Sequence, residues 1–343
     1  MEPMLLSAAV VIAILAVAVM GYAIQRGATC TVAAVDELLT ERSAKRLLAM
    51  GEASLWVAGG LALADVLHAL PAMPAAYPVS GWVLVGGVLL GLGAWVNGAC
   101  VFGAIARLGS GDTNYLATPL GYYAGCLSVE ALFAAPAAKR LGDASPVLQA
   151  SGLVALVFIV FAAWRTLPPL ARSAFGPRDR AHRALAARVW SPHAATGVIG
   201  VTFVITLVLV GAWAYTDVLT QLAHGMSMGL ALGVVCLLAL YAGALAGGWA
   251  AGRLQPTAPT LRGASRCFAG GVLMAWGSLL IPGSNDGLIL IGMPLLHPYA
   301  WLAFATMCAT IAAAMLLSRR LAARRTGESS QFDHEHDGAS RAS

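Results

Sequence analysis

The chain has 343 residues, of which 59% are hydrophobic and only 11% charged, with a mean hydropathy of +0.77 and a net charge of +5. A soluble domain carries roughly 25% charged residues, so a soluble enzyme of this length is excluded. The small positive balance is no nucleic-acid signature, and its placement along the chain carries more meaning than its size.

Nine apolar segments predict nine membrane spans, at about 4–24, 47–67, 82–108, 113–138, 146–164, 194–213, 227–251, 267–292 and 298–317. The first, from Met4 to Ile24, has no basic flank before it and is too long for a signal-peptide core, so it reads as a true span. With the N-terminus outside and the spans alternating, 19 of the 21 basic residues fall inside and only Lys139 and Arg140 fall outside. That bias is the positive-inside rule, and it predicts the N-terminus outside and the C-terminus inside.

Two of the spans resemble one another. Residues 86–103 and 270–287 align at a constant offset of 184, which matches Gly86, Gly87, Val88, Leu89, Gly93 and Gly103 with Gly270, Gly271, Val272, Leu273, Gly277 and Gly287. Each copy is broken near its middle, by Asn97-Gly98 in one and Pro282-Gly283 in the other. In the alternating topology these copies cross in opposite directions. The expected fold is therefore an all-α polytopic membrane protein, an inverted repeat whose two broken helices meet near the midplane in an hourglass-like shape. The divisions are 1–166 for the first membrane repeat, 167–192 for a basic cytoplasmic linker, 193–317 for the second repeat and 318–343 for a disordered cytoplasmic tail.

A broken span frees backbone N–H and C=O groups, which survive in a membrane only inside protein or along a polar cavity. The half-helix after each break points its N-terminus inward, where it favours an anion. The candidate path residues are Asn97, Gly98 and Cys100 in the first copy and Gly283, Ser284, Asn285 and Asp286 in the second, with Cys100 opposite Ser284. Asp286 reads equally as a ligand or as a cap of its half-helix. Glu130, in the apolar block Leu116–Ala138, is a second deep carboxylate, for proton coupling or for a neutral hydrogen-bonded place in the core. Arg26 lies near a mouth, to attract anions or to snorkel. The nearest counterpart of the Gln25–Cys30 entry in the second half is the loose match Gln221–Ser227. Cys30, Cys100, Cys126, Cys236, Cys267 and Cys308 show neither CxxC nor zinc spacing, and most read as packing residues. The cluster His334-Glu335-His336-Asp337 reads as solvated tail, so no metal and no cofactor are expected.

The segments QRGATC after the first span, GGVLLGLGAWVNGACVFGAIARLGSG and GGVLMAWGSLLIPGSNDG resemble the YeeE/YedE family of inner-membrane sulfur-compound transporters. The resemblance reaches to about residue 317. It implies uptake of thiosulfate along a central path lined by cysteines, with Cys100 as the cysteine of the first broken helix and Cys30 as the cysteine after the first span. It also implies a bacterial inner membrane, and as partners a small sulfur-containing anion, the lipid bilayer and a cytoplasmic sulfur-carrier protein. The second copy differs, because Ser284 stands where the family has a cysteine; a hydroxyl donates a hydrogen bond but forms no persulfide. The chain is expected to be a transporter rather than an enzyme. The alternatives are a membrane sulfur-relay protein sulfurated at Cys100 and a non-catalytic membrane subunit that docks through its basic linker. The chain has no P-loop motif to power transport by hydrolysis.

Overall fold

The computed structural model describes residues 8–71, 73, 76–133, 141, 145–175, 189–225, 229–281 and 287–340, without the side chains of 168–175 and 325–340. It is 80% helical, and no strand occurs among the described residues. The helices are α1 (Ala8–Gly27), α2 (Thr31–Thr40), α3 (Lys45–Val66), α4 (Gly81–Asn97), α5 (Val101–Gly109), α6 (Ala117–Leu132), α7 (Pro146–Gln149), α8 (Ser151–Phe175), α9 (Pro192–Val210), α10 (Tyr215–Ala223), α11 (Leu230–Ala250), α12 (Leu261–Leu280) and α13 (Pro298–Ser340). A π-helical turn, Leu288–Gly292, precedes α13.

Six described stretches are long and apolar enough to cross a membrane: Ala8–Thr40, Lys45–Val66, Gly81–Gly109, Pro192–Val210, Leu230–Ala250 and Pro298–Arg324. The expected spans at 113–138, 146–164 and 267–292 carry helix among their described residues but fall outside that set. Helix α6 has 16 residues, only Ser151–Leu167 of α8 is apolar, and α12 opens with Arg262 and Arg266 near its start. Large apolar side chains such as Leu15, Leu120, Leu153, Val160, Trp164 and Trp249 stand exposed on the outer helix faces. Water would penalise that surface, whereas lipid covers it without cost. The chain is a multi-pass membrane protein.

The 184-residue offset extends well beyond the two Gly-rich spans. Added to the bounds of α1, α2, α3 and α4, it gives 192–211, 215–224, 229–250 and 265–281, against the observed Pro192–Val210, Tyr215–Ala223, Leu230–Ala250 and Leu261–Leu280. The packing exchanges in the same way. Helix α1 packs along α11, and its counterpart α9 packs along α3; α12 packs along α6, as α4 does along α13. The equivalent pairs α1/α9 and α4/α12 also pack on one another.

Close approaches at glycine fix the directions. Gly243 lies against Ala18 and Gly247 against Tyr22, so α1 and α11 run parallel. Gly86 lies against Gly277 and Gly93 against Gly270, so α4 and α12 run antiparallel. Helix α8 packs on α3, where Trp56 meets Phe158 and Phe161 edge to face. Glu52 of α3 closes this corner by accepting from Arg165 Nε at 2.9 Å and pairing with His193 Nδ1 at 2.5 Å. A carboxylate within a span is thereby matched by two basic partners from other helices.

One expectation changes here. Helix α13 runs from Pro298 to Ser340, and good helix formers such as Leu321, Ala322 and Ala323 carry it past the apolar span. Glu130, expected deep, lies two residues from the end of α6 with its side chain 83% exposed, 3.7 Å from His224 Nε2.

Candidate substrate site at the paired helix breaks

Two breaks meet in space. The first follows α1: Gly27 ends that helix, Ala28 takes a left-handed φ of 46°, and Cys30 in extended conformation starts α2. The second follows α4: Gly98, with φ 75°, terminates that helix, and extended Cys100 starts α5. Glycine suits position 98 on two counts. Its φ is strained for other residues, and a Cβ there would stand 2.7 Å from Arg266 Nη2.

Asn97 ties this second break together and has no free amide group. Its Nδ2 donates to the Ala99 carbonyl at 2.7 Å and its Oδ1 accepts from the Thr118 hydroxyl at 2.9 Å. Its carbonyl accepts from Tyr115 Oη at 3.2 Å. Cys267 joins Ala99, Ala104 and Tyr115 in the cluster packed around Cys30.

The two half-helices face one another through their first residues. The Thr31 N–H donates to Cys100 Sγ at 3.2 Å. The thiols of Cys30 and Cys100 lie within hydrogen-bonding reach of each other, and neither forms a disulfide. Cys100 is buried, while Cys30 is half-buried on the wall of a small opening that Gly27, Thr29, Arg46, Met50 and Thr196 also line. Each helix N-terminus contributes roughly half a positive charge. The place therefore combines two polarisable thiols with two converging positive dipole ends, and it suits a small soft anion.

The opening continues inward. A second, small void shares Thr29, Met50 and Thr196 with the first and is otherwise walled by apolar groups such as Phe102, Ile199 and Leu290. A third shares Phe102 and Leu290 with the second and is also lined by Trp213, Ala214 and Tyr215. Three adjoining voids thus run from the start of α2 to the start of α10, two positions 184 residues apart.

Among the expected site residues, the structure brings together Cys30, Cys100, Asn97 and Gly98. Gly283, Ser284, Asn285 and Asp286 lie outside the described residues. Arg26 is 1% exposed, with its guanidinium 5.4 Å from the Tyr22 ring centroid and 5.9 Å from that of Trp190, so it is a core residue at the end of the linker rather than a lure at a mouth. Gln221 to Ala223 end α10, so the counterpart of Cys30 is Ala214 and not the Gln221–Ser227 segment. The missed signal was available: at offset 184, Gly27-Ala28 meets Gly211-Ala212. Thr29 and Thr31 were not singled out at all.

A protein-family model described as sulphur transport matches residues 26–313. The chain belongs to this sulphur transport family, YeeE/YedE. The match begins at Arg26, immediately before the first break, and ends within α13, so it takes in both breaks and, apart from Met20 and Ile24, the residues that line the voids. Family membership and the membrane-spanning helices together make this a sulfur-compound transport protein of the membrane. Comparison with curated proteins returns no match.

Proposed function

We propose that the chain takes up a small, thiosulfate-like sulfur anion across a bacterial inner membrane, with its N-terminus outside and its C-terminus inside. The anion binds where the N-termini of α2 and α5 meet and is held by Cys30 and Cys100. The observation that carries this reading is the Thr31 N–H to Cys100 Sγ contact, which joins two half-helix starts 69 residues apart in sequence. Asn97 and Gly98 position the second break rather than touch the anion. Ser284, with Asn285, Asp286 and Gly283, supplies the opposite side of the path, and Ser284 contributes a hydrogen-bond donor there. The halves form an inverted repeat across the membrane. Support for that comes from the antiparallel α4 and α12 and from the exchanged packing pairs. The odd crossing by α8 between two four-span copies is what inverts the second copy. A cytoplasmic sulfur carrier receives the sulfur on the inner side.

The test is uptake of radiolabelled thiosulfate, sulfite and sulfate by liposomes that contain the purified protein. Thiosulfate uptake is expected, with Cys100→Ala lowering it tenfold or more, since a lost hydrogen bond to a charged group costs about 1.5–3 kcal/mol. Cys126→Ala, at a buried thiol 3.6 Å from Thr220, leaves uptake nearly intact. Equal losses in the two variants would show damage to the fold and overturn the site.

A further inference from the structure

Two buried hydroxyls at the first break find no oxygen or nitrogen partner. Thr31 is fully buried with only the Cys100 thiol within reach of its Oγ1, and Thr29 Oγ1 is buried with no partner. Buried hydroxyls in folded proteins are nearly always hydrogen-bonded. Ser278 Oγ shares this state, whereas the helical threonines of the chain obey the rule. Thr196, Thr202, Thr206, Thr220, Thr306 and Thr310 each donate to the carbonyl four residues earlier. Thr29 and Thr31 have no such carbonyl, because they precede or begin a helix. Nor does either act as a cap, a role that Ser191 and Thr260 fill at their helices and that Cys30 occupies here. Thr29 forms the wall shared by the outer opening and the central void.

We propose that the Thr29 and Thr31 hydroxyls donate to the S–O oxygens of the anion while the Cys30 and Cys100 thiols meet its terminal sulfur. The inference rests on the transport reading and deepens it. It makes the substrate class an anion with both a soft sulfur and sulfonyl-type oxygens, and it makes Thr29 and Thr31 the residues that separate such an anion from soft anions without oxygen. No bond forms or breaks at this step. The hydroxyls exchange water for substrate oxygen, and the helix N-termini supply the positive field.

The experiment measures the KM for labelled thiosulfate in proteoliposomes together with the inhibition constant of thiocyanate, a soft sulfur-bearing anion that has no S–O oxygen. Thr31→Val keeps the shape and removes the hydroxyl; Thr31→Ser keeps the hydroxyl. Thr29→Val and Thr29→Ser form the second pair. Each valine variant is expected to raise the thiosulfate KM about tenfold or more and to leave thiocyanate inhibition within about twofold, with the serine variants near the parent. Cys100→Ala is expected to weaken both anions. A valine variant that loses both anions equally, or neither, overturns the hydroxyl assignment and leaves the transport reading standing. A parent protein that takes up no thiosulfate overturns the transport reading, and the assignment falls with it.

Discussion

The break after α1 and its equivalent after α9 share a backbone plan and differ in chemistry. Both end a long helix, pass through Gly-Ala, and open a short helix of ten residues in one case and nine in the other. The first reads Gln25-Arg26-Gly27-Ala28-Thr29-Cys30-Thr31; the second reads Leu209-Val210-Gly211-Ala212-Trp213-Ala214-Tyr215. One presents a thiol and two buried hydroxyls without an oxygen or nitrogen partner. The other presents aromatic rings: the Trp213 indole donates to the Gly233 carbonyl at 3.4 Å and Tyr215 packs edge-on to Tyr241. A duplicated fold thus needs its break in both copies, because the break shapes the adjoining voids. In the proposed function, only the first of them carries the ligand chemistry.

The most damaging test of this equivalence lies at Gly59 and Gly243, which share a position at offset 184. A methyl at Gly243 would collide with the Ala18 backbone carbonyl, whereas the nearest atoms to one at Gly59 belong to the Phe158 side chain. Backbone cannot yield as a ring can, so Gly243→Ala is expected to cost about 3 kcal/mol and Gly59→Ala about 1 kcal/mol, read by thermal unfolding in detergent. Equal costs would mean that the two interfaces are interchangeable.

The chemical asymmetry is sharpened by a transplant. Cys30→Ala is expected to lower thiosulfate uptake about tenfold, and Ala214→Cys added to it should restore nothing, because no second thiol is described beside position 214. Restored uptake would make the halves chemically equivalent.

A smaller effect is expected at Glu52, whose equivalent in the second half is the buried Cys236. Glu52→Gln leaves Arg165 and His193 with a weaker partner and should lower stability by about 1 kcal/mol, since the pair is partly exposed. Cys236→Ala should cost no more than that, and the ratio of the two unfolding shifts checks the order. The smallest effect is predicted for Glu130→Gln. Its exposed carboxylate touches only His224 among the described ion pairs, so uptake and its pH profile should stay within about twofold of the parent. A shifted pH profile would return Glu130 to proton coupling.

Much of this was legible in the sequence because it depends on local composition. Apolar runs report spans wherever charge is scarce, which is why α1, α9 and α11 were found near their bounds. Asn97-Gly98 announced its break because only a residue tolerant of positive φ ends a helix in that way. Glu130 was misjudged because an apolar block does not say where its helix stops. Helix α6 ends at Leu132, and that end exposes the carboxylate.

The amino-acid sequence by itself determined the membrane class, the break at Asn97-Gly98 and the 184-residue repeat, since hydropathy, helix-stopping residues and internal similarity act through neighbours in the chain. Only the tertiary structure decided that the start of α2 docks on the start of α5, that Arg26 is buried beside two rings, and that the Thr29 and Thr31 hydroxyls stand at that junction without an oxygen or nitrogen partner. Those outcomes depend on which helix faces cross. A hydroxyl's partners come from whatever the fold brings near it, and no stretch of sequence around residue 31 specifies a thiol 69 residues away.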